Sequence, residues 1–150
     1  MDDLFKSLSR KNIKFTESLH WGRYFKKRWE NAFAHHLYQE EKERIFLIGD
    51  RYFSGYLWHL FSYKMIPHLS QNKAEEAFNS IKKTECYIFY EHLPEVFYVE
   101  HADSLKVEDL LEEEDLYIVD KNFTWTYVVT HEESCGPYFT SNVLKEMVKQ

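Results

Sequence analysis

The stretch Asp115–Phe139 limits what this chain can fold into more than any other. From Phe123 to Glu132 the residues alternate in character. On an extended strand Phe123, Trp125, Tyr127, Val129 and His131 share one face, and Thr124, Thr126, Val128, Thr130 and Glu132 share the other. Aromatic and β-branched side chains of this kind suit a pleated, half-buried surface. Leu116–Val119 reads as the partner strand, with Asp120-Lys121-Asn122 as the turn between them. Gly136-Pro137 ends the ladder, because proline has no N–H to donate. The pair is expected at the centre of a sheet, with one apolar and one threonine-rich face. Trp125 belongs to the core on this pattern, where truncation to alanine would cost about 3–5 kcal/mol.

The rest of the chain supplies partners for that hairpin. Leu4, Phe5 and Leu8 fit one or two helical turns, and Asn12–Phe15 a short edge strand. Trp21, Phe25, Trp29, Ala32, Phe33 and Leu37 recur at helical spacing and predict a helix over Trp21–Leu37. Gln39–Ile45 predicts a second, shorter helix, and Gly49-Asp50-Arg51 a turn. Tyr56–Ser62 is apolar on both faces. Its flanking glycine, aromatic content and length favour a covered strand, with a buried helix as the alternative. Ser70 or Asn72 opens a helix to about Lys82. Cys86–Glu91 and Val96–Glu100 form a hairpin, and Ser104 starts a short helix to about Glu112. The acidic run Glu112–Asp115 reads as a solvated loop or, more sharply, as a patch for a basic protein partner or a cation. Tyr138–Thr140 returns as an edge strand and Ser141–Gln150 closes as a helix. The order predicts one α+β domain over residues 1–150, with a mainly antiparallel sheet of five to six strands packed by N-terminal and inserted helices.

Charge and composition exclude some functions. The net charge of −6 argues against nucleic acid and anionic membrane, both of which need a basic face. Two cysteines, Cys86 and Cys135, do not make a disulfide scaffold. The N-terminus lacks the pattern of a signal peptide, and no run reaches the ~20 apolar residues of a membrane span. A cytoplasmic protein with free thiols is expected. Aromatic residues make up 18% of the chain, so the core should be rich in rings.

The candidates for chemistry are His131, Glu132, Cys135 and His59, with His92, His101 and the pair His35-His36 behind them. His131-Glu132 is not the start of a zinc-protease helix motif, because position 135 is cysteine and the context is a strand. A strand would also send His131 and Glu132 to opposite faces. His59, His131 and Cys135 are suitable zinc ligands if they meet, and Cys135 beside His131 is a nucleophile and base in type. No orienting acid or oxyanion donor is evident for that pair. There is no glycine-rich phosphate loop and no serine nucleophile elbow. No cofactor and no metal is therefore expected.

The blocks WGRYFKKRWENAFAHHL, EEKERIFL, GYLWHLFSY, CYIFYEH, DLYIVDKNFTWTYVVTHE and CGPYF, in that order, resemble an uncharacterised domain-of-unknown-function family of Gram-positive spore-forming bacteria. The resemblance spans Ile13 to Phe139 and implies no activity and no catalytic residue. The WTYVVTHE ending is also similar to some small bacterial toxin-immunity proteins. The expectation is a small non-enzymatic protein-interaction module, of immunity type or a regulatory binder. The alternative is a metal- or thiol-dependent hydrolase with its site near the C-terminal hairpin.

Overall fold

The computed structural model describes residues 1–46 and 56–144. Its centre is one antiparallel sheet of seven strands: β1 (Phe15–Ser18), β2 (Leu69–Ser70), β3 (Glu85–Tyr90), β4 (Val96–Glu100), β5 (Leu116–Asp120), β6 (Trp125–Val129) and β7 (Tyr138–Ser141). They lie in the order β1-β4-β3-β5-β6-β7-β2. The expected hairpins are present, with Ile88 opposite Phe97 and Ile118 opposite Tyr127. The pair β5–β6 takes the middle of the sheet. Five to six strands were expected and seven occur among the described residues. The extra one is β2, two residues that pair Leu69 with Phe139 and so cover β7, which was expected at the edge.

Helices cover both faces. α1 (Asp2–Arg10) and α5 (Gln71–Ser80) lie on one side, and α2 (Gly22–Ala34) and α4 (His59–Ser62) on the other; α3 (Gln39–Phe46) follows α2. The strands therefore alternate between two cores. Ile88, Ile118, Trp125 and Tyr127 meet Leu4, Leu8 and Phe78 on the α1/α5 side. Phe89, Tyr117, Val119 and Val128 meet Trp29, Phe33, Trp58 and Phe61 on the α2/α4 side.

This double cover corrects the expectation of a half-polar central strand. Thr126 is fully buried under α2. Its hydroxyl accepts a hydrogen bond from Trp29 Nε1 at 2.9 Å and donates one to the Ile118 carbonyl at 2.8 Å. Thr126→Val keeps the shape but strands the indole N–H. It should lower unfolding free energy by about 1–3 kcal/mol, read from denaturant midpoints. An unchanged midpoint would mean that the indole finds another acceptor.

Phe123 also departs from the alternation. Its φ of +55° turns the chain before β6 begins. The ring thus crosses to the α2 side, 6.1 Å from Phe25, with the Arg28 guanidinium 4.2 Å above it. Asp120 holds this turn by accepting from the backbone N–H groups of Thr124 and Trp125 at 2.6 and 2.9 Å.

Two further expectations are overturned. Tyr56–Ser62 is not a strand: a turn leads into α4, with Trp58, Leu60 and Phe61 buried. Its apolar character on both faces reflects a short element packed between α2 and the sheet. The helix expected over Ser104–Glu112 is two single 3₁₀ turns, Ala102–Ser104 and Val107–Leu110. Leu105 between them is extended, and Asp109 accepts from the Lys106 N–H at 2.9 Å, so the chain restarts instead of continuing. The Gly49-Asp50-Arg51 turn and most of the Ser141–Gln150 helix lie outside the described residues.

Candidate functional site

The polar cluster forms where β6 stops. The strand ends at Val129, so His131 and Glu132 are not on opposite sheet faces as a continued strand would place them. His131 Nε2 lies 3.5 Å from Glu132 Oε1. A 3₁₀ turn, Glu133–Cys135, then leads through Gly136-Pro137 into β7. A Cβ at Gly136 would lie 2.6 Å from the Thr130 hydroxyl, so a larger residue there has to displace that side chain.

Asp115, at the start of β5, organises the cluster. Its φ of +51° is a left-handed conformation that aspartate tolerates better than bulkier residues. Its carboxylate accepts from Trp58 Nε1 at 2.9 Å. Both its oxygens lie 3.0 Å from His131 Nδ1, and Oδ1 also accepts from the His131 N–H at 3.3 Å. A carboxylate can only accept, so Nδ1 carries a proton. The hydrogen bond to Asp115 is the main reason that the His131 pKa is raised; slight burial opposes it, and the charges of Asp115, Glu132 and Glu114 add to it. Asp115→Asn removes that charge while keeping an acceptor. It should shift the His131 imidazole midpoint downward in an NMR titration. An unmoved midpoint would show that Asp115 is not the cause.

An aromatic wall backs this pair. The Tyr56 ring stacks on Trp58 at 5.3 Å and meets the rings of His92 and His131 at 5.1 and 5.0 Å. His59 packs on Trp58 at 4.3 Å, with Nδ1 2.9 Å from the Ser62 hydroxyl. Burial lowers its pKa, with the charge of Glu132 opposing and that of His131 adding.

Beneath the wall, Glu91 is buried. Its Oε1 accepts from the Leu57 N–H at 2.6 Å and from the Tyr117 hydroxyl at 2.7 Å, while that hydroxyl accepts from the Trp58 N–H at 3.1 Å. Burial pushes the Glu91 carboxyl up to about 7, against the lowering effect of those hydrogen bonds. Glu91 and Asp115 are the residues that a reading of histidines and cysteines passes over. Their only signal in the sequence is a carboxylate abutting an apolar run, in CYIFYE and in DLYIV.

His131, Glu132 and Cys135 therefore gather at one turn. The Cys135 thiol donates to Glu132 Oε2 at 3.2 Å, and that hydrogen bond is the main cause of its raised pKa. Glu132 and Ser134, not His131, are the hydrogen-bond partners of the thiol. Among the described residues, no group of three or more histidine, cysteine, aspartate or glutamate side chains is placed to hold a metal ion.

A groove of about 460 Å³ opens on the α5 side of the same turn. Glu75, Leu111, Glu114, Tyr127, Val129 and Glu133 contribute to its lining, together with Glu113. The acidic run is thus only partly the solvated loop expected of it. Glu113 is buried, bound to the Tyr90 hydroxyl and 3.2 Å from the Met1 amino group, whereas Glu114 is exposed at the groove. Among the described residues, no helix is long and apolar enough to cross a membrane.

Comparison with curated proteins and with solved structures finds no match. Residues 2–139 match the model of the family described as a domain of unknown function, DUF4275, and the chain belongs to that family.

Proposed function

We propose that the chain acts as a single non-enzymatic domain that binds another protein, in the manner of an immunity-type or regulatory binder, through the surface around Thr130–Gly136. The observation that carries this reading is that the polar cluster is closed on itself. Asp115 is used by Trp58 and His131, Glu91 by Leu57 and Tyr117, and Glu132 by Cys135. These groups lock the β5–β6 end to the Tyr56–Ser62 segment and leave a rigid surface beside an open groove. The expected result is a stoichiometric heteromer when the tagged chain is isolated at native abundance and its mass measured in solution. A chain that is recovered only alone would sink the proposal.

The hydrolase alternative has one observation in its favour. Asp115 clamps one nitrogen of His131, as an orienting acid holds a base, while the other lies 3.5 Å from Glu132 Oε1. Against it, raising the His131 pKa reduces the share of unprotonated imidazole able to accept a proton, and the hydrogen bond to Glu132 favours the protonated form of the neighbouring thiol.

A further inference from the structure

We infer that a second groove, between α2 and the outer strands β4 and β1, receives a proline-rich segment of a partner protein with an acidic residue at its Arg28 end. Strands β3 and β5 separate this groove from Thr130–Gly136, and it stands whether or not that surface is used. Beyond β3 the sheet runs through β4 to the edge strand β1. There the α2 side opens into a groove of about 340 Å³, to which Ser18, Trp21, Tyr24, Phe25, Tyr87 and Tyr98 contribute. Its rings touch in series: Trp21–Tyr24 at 5.3 Å, Tyr24–Phe25 at 5.5 Å, Phe25–Tyr87 at 4.6 Å and Tyr87–Tyr98 at 5.4 Å. Trp21 and Tyr24 are 51% and 52% exposed, beside the equally exposed Leu19. A contiguous apolar surface of this kind marks an interaction site.

The polar groups among these rings select the occupant. The Trp21 indole N–H and the Tyr24 and Tyr87 hydroxyls have no hydrogen-bond partner among the described residues. They can donate to an acceptor laid across the rings. A helix brings no such acceptors, because its backbone carbonyls are used internally. A strand spends its carbonyls on the β1 edge instead. A polyproline II segment has every carbonyl free, and its prolines have no N–H to leave unpaired. Its pyrrolidine rings pack on aromatic faces, as in other aromatic-lined grooves. The length also fits. Trp21 to Arg28 spans about 10 Å of helix, which is three to four residues at ~3.1 Å each.

Charge complementarity sets what flanks the prolines. Trp21–Arg28 carries Arg23, Lys26, Lys27 and Arg28 and no carboxylate, in a chain of net charge −6. Lys26 is used by the Glu91 backbone carbonyl. Arg23, Lys27 and Arg28 have no ion-pair partner among the described residues. Arg28 closes the far end of the ring series, 4.2 Å above Phe123, which lies 6.2 Å from Tyr87. The Glu85 carboxylate at that end is already matched, by the Tyr98 hydroxyl at 2.6 Å and Lys121 Nζ at 3.2 Å. An aspartate or glutamate beside the prolines therefore meets a guanidinium with no other carboxylate on it.

The test is an NMR titration of the intact chain with acetyl-Asp-Pro-Pro-Ala-Pro-Pro-Asp-amide, whose two aspartates allow either chain direction. One control peptide replaces the prolines by alanine, and another replaces the aspartates by lysine. The first peptide should give saturable shifts at Ser18, Tyr24, Tyr98 and the Trp21 indole, and bind about tenfold tighter than either control. Trp21→Ala, at an exposed position, should abolish those shifts while leaving the remaining spectrum in place. Tyr24→Phe should weaken binding about threefold. Arg28→Gln should bring the aspartate and lysine peptides to similar affinity. No saturable shifts, equal binding of the alanine peptide, or full binding by Trp21→Ala would each overturn the inference. Shifts confined to the Phe15 and Glu17 amides would mean strand addition at β1, and would overturn it too. Concentration-dependent shifts at these positions without peptide would assign the groove to a second copy of the chain instead.

Discussion

Trp29→Ala should lower the free energy of unfolding by about 4–5 kcal/mol, at the upper end for a buried aromatic truncated to alanine. Trp29 is fully buried between α2 and the sheet. Its ring meets Phe33, Phe61 and Tyr117 at 5.3, 5.9 and 5.4 Å, and its indole nitrogen is tied to Thr126. Alanine leaves a cavity where four elements converge, and the rigid strands beneath cannot collapse into it. A domain of this size loses about 2–4 °C of melting temperature per kcal/mol, so a fall of roughly 10–15 °C is expected. Against a typical total of about 5–15 kcal/mol, the variant sits near the limit of folding. Trp21→Ala is the control. Trp21 falls on the same helical stripe in the sequence but is 51% exposed, so its loss should stay within about 0.5 kcal/mol. Similar losses for the two tryptophans would refute the placement of α2.

Glu91→Gln should change how stability depends on pH. In the folded chain this carboxyl titrates at about 7, against 4.5 when unperturbed. Between those values the folded state holds more protons than the unfolded state. The contribution is therefore fully present below pH 4.5 and is lost as pH rises through about 7. A displacement of this size corresponds to about 3 kcal/mol over that window. Glutamine cannot titrate, yet its amide oxygen can accept from Leu57 and Tyr117. Relative to the wild type, the variant should gain about 3 kcal/mol between pH 4.5 and 8 in paired urea denaturations. Parallel pH profiles for the two proteins would show that Glu91 is not displaced. Tyr117→Phe separates charge from packing, since it removes one hydrogen bond to Glu91 and keeps the ring.

These two residues show what the chain makes legible before it folds. Trp29 was placed correctly because a helix buried on one side repeats its apolar residues, and Phe25, Trp29 and Phe33 do so. The hairpins were legible for the same reason, through a period of two. Trp21 was misplaced because periodicity identifies a face but not where a neighbour's cover runs out. Tyr56–Ser62 was misplaced because a short run that is apolar on every side has no period to read. The site was less legible than the fold. Asp115 and Glu91 act through partners 57 and 34 residues away in the chain, and no local pattern encodes such pairings. His131, Glu132, Cys135 and His59 were singled out by residue type alone, and nothing in the sequence showed whether they meet; the structure places His131, Glu132 and Cys135 at one turn.

The hold on Leu57 and Trp58 has a kinetic side. Their amide hydrogens are covered not by a helix or a strand ladder but by one carboxylate and one phenol, Glu91 and Tyr117. Exchange of these two amides with solvent deuterons therefore reports on side-chain acceptors, not on fraying of a backbone ladder. They should open together, as one small cooperative unit, and the Trp58 indole that Asp115 holds should open with them. Local breathing at the start of α4 is in this way coupled to the far end of the central hairpin, across a span in sequence that no single element bridges.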